Sequence, residues 1–570
     1  MRKNQSFTRW ALGILLLLGA CSGTSPGSTT LPAPPPAMVS ASDDPRPADT
    51  DDVSTLAGDP AAVALGATDQ PQSWVGIEPI AAGNGDAGVD DLLAAAKAPD
   101  LAPAAGPPLV APDQRAAAAV VAARPPGTAV GYLMIDLESG LALAELNPDL
   151  PMIPASTAKL ATAVVALDVL GPEHRYRTEL LARGAVERGV LYGDLILRGG
   201  GDPALDVADL LELAVRLNNR GVRRVDGRFL VDDSALPHFS EIEPTQPPEA
   251  AYNPGIGALS LAFNRVRVAW RGGGRIDAAA LPPLHEARFE AASPGRLPPG
   301  GVALEGADQQ SVVWRVADRG RRRQVTELPV KDPGLHTGYV FRQLAAAQGI
   351  SLGPPLRGAT PAGASVVAVH DSEPLRDLLG DMLVYSNNMM AETIGLSTAA
   401  RLGDISGGLD AAGGLLLAHL VRVLPAVDWR GAVLGNHSGL DGAARLTPRQ
   451  LAAILRYGWL NDALPALLPG GGWSGTLVRR FDDPGEALRV WAKTGTLNYG
   501  SALAGYVFPM TERPAVFVTM VSDTDAREAY DALLPYPGPA AQRAAGAWLG
   551  SARALQDSLV ESWLQPMPVS

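Results

Sequence analysis

Three observations predict an α+β fold for this chain. Three strand-like runs, Leu488 to Thr494, Ser501 to Phe508 and Ala515 to Val521, crowd the C-terminal part. Their close spacing makes them an antiparallel meander. Two more, Ala129 to Asp136 and Leu141 to Leu146, flank a Glu138-Ser139-Gly140 turn near the start of the ordered region. Between these ends lie helical patterns and, from residue 175 to 352, a stretch of short strands and turns. Strands from both ends can share one sheet with helices packed around it. The middle stretch is then an inserted β-rich region, read as two subdomains.

The elements follow in order. Arg2 and Lys3 open the chain, and Ala11 to Leu18 is an apolar run too short to span a bilayer. Leu18-Gly19-Ala20-Cys21 follows, so residues 1–20 read as an export signal. Small residues before a cysteine resemble the lipobox of bacterial lipoproteins, in which Cys21 would carry the lipid. Ser22 stands where an aspartate would retain such a protein; its absence favours the outer membrane where the source has one. Residues 21–112 are rich in Pro, Ala, Gly, Ser, Thr and Asp, with Trp74 the lone aromatic. Such a segment buries too little apolar surface to offset its ordering entropy and reads as a disordered tether.

Order is expected from Asp113. Pro154-Ala155-Ser156 opens a helix to Leu170, ended by Gly171-Pro172, with Leu160, Val164, Leu167 and Leu170 on one apolar stripe. Asp168 falls off that stripe, toward water. One domain is expected in two pieces, 113–174 and 353–560, around the insertion 175–352. Helical texture returns at Pro374 to Val384 and Met389 to Leu402, and a last helix spans Ala540 to Leu555. Arg319 and Arg321 to Arg323 read as a solvated hairpin end.

Composition narrows the function. A net charge of −13 argues against a nucleic-acid binder. One cysteine allows no internal disulfide. The histidines show no metal-ligand spacing, and no motif calls for a cofactor. Lysine is scarce: five of the 47 basic residues, namely Lys3, Lys97, Lys159, Lys331 and Lys493. Arginine stays protonated, whereas a buried lysine can lose its proton and act as a base.

Two of the five lysines stand in short words that carry chemistry. Ser156-Thr157-Ala158-Lys159 sets a hydroxyl and an amine one helical turn apart. A serine becomes a nucleophile when a nearby base takes its proton. Lys159 can be that base if burial or another cation lowers its pKa, and Lys493 is the candidate cation. Ser386-Asn387-Asn388 brings a hydroxyl and an amide between two helices. Lys493-Thr494-Gly495-Thr496 ends the first strand of the meander, where Gly495 leaves room for a substrate along the strand.

In this order, behind an export signal, the three words resemble the SxxK, SxN and KTG set of penicillin-binding proteins and serine β-lactamases. The implied fold is an antiparallel sheet flanked by helices, plus a helical subdomain. The gap of 230 residues from Ser156 to Ser386 is far longer than in compact β-lactamases. A large insertion here resembles the D-alanyl-D-alanine carboxypeptidase/endopeptidase family of the penicillin-binding-protein-4 type (peptidase family S13). Gly199 to Pro203, Ala391-Glu392, Ser438-Gly439-Leu440 and Leu446 to Arg449 agree with that family. His437 departs from it, since glycine usually precedes Ser-Gly-Leu. Tyr385-Ser386-Asn387 also reads as the YxN word of class C β-lactamases and esterases.

The resemblance implies a serine D-Ala-D-Ala peptidase acting on peptidoglycan stem peptides or their cross-links and acylated by β-lactams. It implies Ser156 as nucleophile, Lys159 as base and Ser386 as proton relay. Asn388 would bind the substrate amide, Lys493, Thr494 and Thr496 its terminal carboxylate, and the N–H groups of Ser156 and Thr496 the oxyanion. A β-lactamase or esterase of the same fold, or an inactive envelope scaffold, are the alternatives.

Overall fold

The sheet that carries the site is assembled from both ends of the chain. A computed structural model describes residues 114–564 apart from 274–275, 285–286, 299–300, 308–311 and 510–512. Five strands run in the spatial order Val490–Leu497, Gly500–Val507, Ala515–Ser522, Ala129–Asp136, Ala142–Leu146. Every neighbouring pair is antiparallel. The C-terminal meander joins the N-terminal hairpin where Ala129 to Asp136 pairs with Ser522 to Ala515. The expected meander, hairpin and shared sheet are all present.

Two of these strands, Gly500–Val507 and Ala515–Ser522, are buried at every position. Ala502, Ala504, Val516 and Val518 belong to a core shared with helices Lys159–Leu170, Leu375–Tyr385, Asn388–Leu402, Leu409–Val423 and Pro448–Asp462. Leu503, Phe517 and Val521 join Trp548, Leu555, Leu559 and Trp563 of the C-terminal helix Pro539–Leu564 in a second core. A sheet covered on both faces needs continuous apolar runs rather than alternation, as these strands have.

The helix Lys159–Leu170 departs from its expected stripe: every residue from Lys159 to Leu167 is buried. A helix enclosed on all sides needs apolar residues all round. Asp168 lies outside that buried run and is exposed, as expected, and its carboxylate is also hydrogen-bonded. It accepts a hydrogen bond from Tyr457 Oη at 2.9 Å and lies 3.0 Å from His419 Nε2.

The insertion has its own cores. Its main sheet runs Pro355–Arg357, Phe229–Asp232, Val190–Gly199, Arg177–Glu187, Ser365–Asp371. It packs on helices Val207–Asn219 and Pro333–Ala347, neither of which was expected. The first starts with a reciprocal Asp206/Asp209 capping box. Two three-stranded sheets enclose a smaller core of Val266, Trp270, Trp314, Val316 and Leu328. Arg321, Arg322 and Arg323 are exposed at the turn before Gln324–Pro329, as expected. The boundary at 352 is corrected. Ser365–Asp371 pairs along Arg177–Glu187, so backbone hydrogen bonding holds the chain in the inserted sheet up to Asp371.

Candidate active site

Ser156 sits in a 3-10 turn, Ala155–Ala158, that leads directly into helix Lys159–Leu170. Thr157 anchors the turn by donating from its hydroxyl to the Pro154 carbonyl at 2.7 Å. Two glycines let the rest of the site close on this turn. A Cβ at Gly495 would stand 2.4 Å from the Pro154 carbonyl oxygen, and one at Gly439 (φ +74°) only 1.9 Å from that of Ala155. Gly495 was expected to leave room for substrate; the space it leaves is filled by the turn that carries Ser156. Ala155 and Ser386 hold left-handed φ values of +45° and +56°. Such backbone costs about 1–3 kcal/mol in a non-glycine residue and collects at functional sites.

Lys159 is fully buried. Its Nζ lies 3.1 Å from Ser156 Oγ, 2.7 Å from Asn388 Oδ1 and 2.8 Å from the Ser438 carbonyl. The Asn388 amide has a defined orientation, because its Nδ2 donates to the Tyr252 carbonyl at 3.0 Å. Both the Asn388 oxygen and the Ser438 carbonyl can only accept. A neutral amine has two N–H bonds, and these two acceptors take both. Its lone pair is then left for the Ser156 hydroxyl. Burial lowers the Lys159 pKa to about 7, against the opposing pull of the Glu392 carboxylate.

Lys493 is also fully buried. It donates to Ser386 Oγ and to the Thr494 carbonyl, each at 2.8 Å, and neither is charged. Burial, and then the nearby Lys159 amine, push its pKa well below the ordinary lysine value. The positive charge expected of Lys493 meets no opposite charge among these two partners.

The two serines and two lysines therefore form two adjacent pairs, Ser156–Lys159 and Ser386–Lys493. Ser386 caps helix Leu375–Tyr385, and Asn387 caps the next helix by accepting from Met390 N–H. Tyr385 is 64% exposed. SxN, not YxN, is the word that meets the lysines. Strand Val490–Leu497 lies at the sheet edge. Its Thr494 hydroxyl donates to Thr476 Oγ1 at 2.9 Å, and Thr496 Oγ1 accepts from Arg553 Nη2 at 3.2 Å.

Several site residues were not assigned roles from sequence. Tyr252, Thr476 and Arg553 come from distant segments with no motif to mark them. Ser438, Gly439 and Glu392 stood in recognisable words, but only packing shows what they touch. Among the described residues, no group of three or more His, Cys, Asp or Glu could hold a metal ion. Cys21 lies outside the described residues.

Comparison with known proteins gives the family and the fold. Residues 114–535 match the model of the D-Ala-D-Ala carboxypeptidase 3 (S13) family. A D-alanyl-D-alanine carboxypeptidase of Actinomadura sp. (strain R39) is 29% identical, over 67% of this chain and 75% of its own. A carboxypeptidase of Mycobacterium tuberculosis is 31% identical, over 73% and 82%. The crystal structure of penicillin binding protein 4 from Haemophilus influenzae has the same fold. It has a TM-score of 0.63 and 21% identity, covering 71% of this chain and 93% of that one. The chain belongs to the D-Ala-D-Ala carboxypeptidase 3 (S13) family and is a serine-type D-Ala-D-Ala carboxypeptidase.

Proposed function

We propose that the family reaction runs here through an acyl-enzyme on Ser156 with Lys159 as base. One observation carries this reading: Lys159 Nζ lies within hydrogen-bond distance of two carbonyl oxygens and of Ser156 Oγ, so a neutral amine would spend its N–H bonds on the carbonyls and turn its lone pair to the serine. Ser156 Oγ attacks the carbonyl carbon of the penultimate D-alanine, and its proton passes to Lys159. The oxyanion forms near the N–H groups of Ser156, at a helix N-terminus, and Thr496. Oxyanion donors of this kind contribute about 2.7–4 kcal/mol each. Ser386 relays a proton to the leaving D-alanine nitrogen as the C–N bond breaks. Water then hydrolyses the ester and frees Ser156.

The substrate's terminal carboxylate binds beside Lys493, Thr494 and Thr496. Its negative charge opposes the burial that depresses the Lys493 pKa and favours the protonated amine. A β-lactam presents a similar amide and carboxylate, so it acylates the same serine. Mass spectrometry after incubation with labelled penicillin tests the assignment. An adduct on Ser156 is expected, and an adduct elsewhere, or none, refutes it. Splitting of cross-linked dimers in purified cell wall, as well as loss of one alanine from monomer stems, would add endopeptidase activity. Rapid turnover of penicillin with no attack on D-Ala-D-Ala peptides would favour the β-lactamase reading.

The chain is further read as a cell-envelope lipoprotein, with Cys21 lipidated and residues 21–112 as a tether to the membrane. Among the described residues no helix is long and apolar enough to cross a membrane. Cys21→Ser should release the protein from membranes, and unchanged retention would refute lipidation.

A further inference from the structure

Glu392 is buried completely and stands one helical turn after Asn388, on a helix packed against the nucleophile helix. Its carboxylate takes three contacts from one loop. Oε1 accepts from Ser438 N–H at 2.8 Å, Oε2 accepts from His437 N–H at 3.1 Å, and Oε2 lies 2.8 Å from His437 Nδ1. The same loop is tied from the other side, where Thr162 Oγ1 donates to the His437 carbonyl at 2.7 Å. The next carbonyl along, that of Ser438, holds Lys159 Nζ.

We propose that Glu392 is a positioning residue for acylation. It clamps the 436–440 loop so that the Ser438 carbonyl aims the Lys159 amine at Ser156, and its charge reaches that amine across the same short chain of contacts. The proposal rests on the assignment of Ser156 and Lys159 made above. His437 belongs to the same device. Its ring occupies the space above Gly395, where a Cβ would come within 2.1 Å of the imidazole Cγ. The side chain that departs from the family's usual glycine is thus accommodated by a glycine on the helix that carries Glu392, and it adds a contact to the carboxylate.

The titratable groups around Lys159 set the sign of the effect. Glu392 comes from helix Asn388–Leu402, His437 from the loop and Lys493 from strand Val490–Leu497. The Glu392 charge favours a protonated Lys159 and opposes the lowering due to burial. Contacts from His437 and Ser438 outweigh burial at Glu392 and hold its own pKa below the usual carboxylate value, so the charge persists at neutral pH.

The test is the rate of Ser156 acylation by labelled penicillin, followed from pH 5 to 9 in wild type, Glu392→Gln and Glu392→Asp. Glu392→Gln removes the charge and puts an N–H donor against loop N–H groups. Its limiting rate should fall on the order of a hundredfold, the scale of a small misplacement of a catalytic group. The acidic limb of its profile should move to lower pH, because the neutral amine is then favoured. Glu392→Asp keeps the charge but shortens the reach. It should lose rate while its limb stays near that of wild type, and it serves as the second variant if the glutamine protein folds poorly. Two results would overturn the proposal: a folded Glu392→Gln protein with wild-type rate and limb, or one that is slower with an unmoved limb. A wild-type protein that gives no Ser156 adduct would defeat the underlying assignment instead.

Discussion

The helix side and the strand side of the cleft each bury one lysine, in opposite surroundings. Lys159 is held by two carbonyl oxygens and lies near a buried carboxylate. Lys493 meets one hydroxyl and one backbone carbonyl, and the neighbouring Lys159 amine acts against its charge. The difference teaches that burial alone does not assign a role. The helix-side amine has its hydrogen-bond partners supplied by the protein, as the proposed base role requires. The strand-side amine lacks a counter-charge that an anionic substrate can supply.

Three experiments bear on that contrast. The largest effect is expected at Lys159. Lys159→Ala should slow Ser156 acylation by roughly 10²–10⁴-fold, the usual contribution of a positioned general base. In the wild type the same rate should fall as pH drops through about 7, because protonation removes the lone pair. A flat profile through that range would break the base assignment.

Lys493→Ala should act mainly through the substrate carboxylate. A hydrogen bond to a charged group contributes about 1.5–3 kcal/mol, roughly ten- to a hundredfold in kcat/KM. The loss should appear with a peptide ending in free D-alanine and largely vanish with its C-terminal amide. Equal losses on both would erase the proposed distinction between the lysines.

The smallest effect concerns the support behind Lys159. Gly395→Ala drives a methyl group into His437 and should cost about 1–3 kcal/mol, as overpacking does. His437→Gly in the same chain should recover much of that loss. Urea denaturation of both single variants and the double variant reads the coupling. Strict additivity would separate His437 from the helix that carries Glu392.

Much of this architecture was legible in the chain itself. The turn residues between Ala129–Asp136 and Ala142–Leu146, and the apolar runs of the meander, are local patterns that survive without tertiary context. The helices Val207–Asn219 and Pro448–Asp462 carry capping boxes, Asp206/Asp209 and Thr447/Gln450, that could have announced them. Val207–Asn219 was missed because residues 175–352 were weighed by their strand and turn texture, and Pro448–Asp462 because Leu446 to Arg449 was read only as a family word. The end of the insertion was misplaced because Ser365–Asp371 pairs with a partner nearly two hundred residues earlier, and no local pattern records such pairing.

For the site, sequence by itself singled out the groups proposed to react. Spacing puts Ser156 and Lys159 one turn apart, and the three words are resolved by their order and by the long gap between the first two. Tertiary structure decided how those groups are poised. It brought Ser386 to Lys493, turned Tyr385 outward and used Gly495 for close packing. It set the Asn388 amide with a carbonyl from the insertion, and placed Glu392 behind the loop that holds Lys159. The physical reason is that a residue's chemical type is local, whereas its burial, its hydrogen-bond partners and hence its proton affinity belong to the neighbours that folding brings to it.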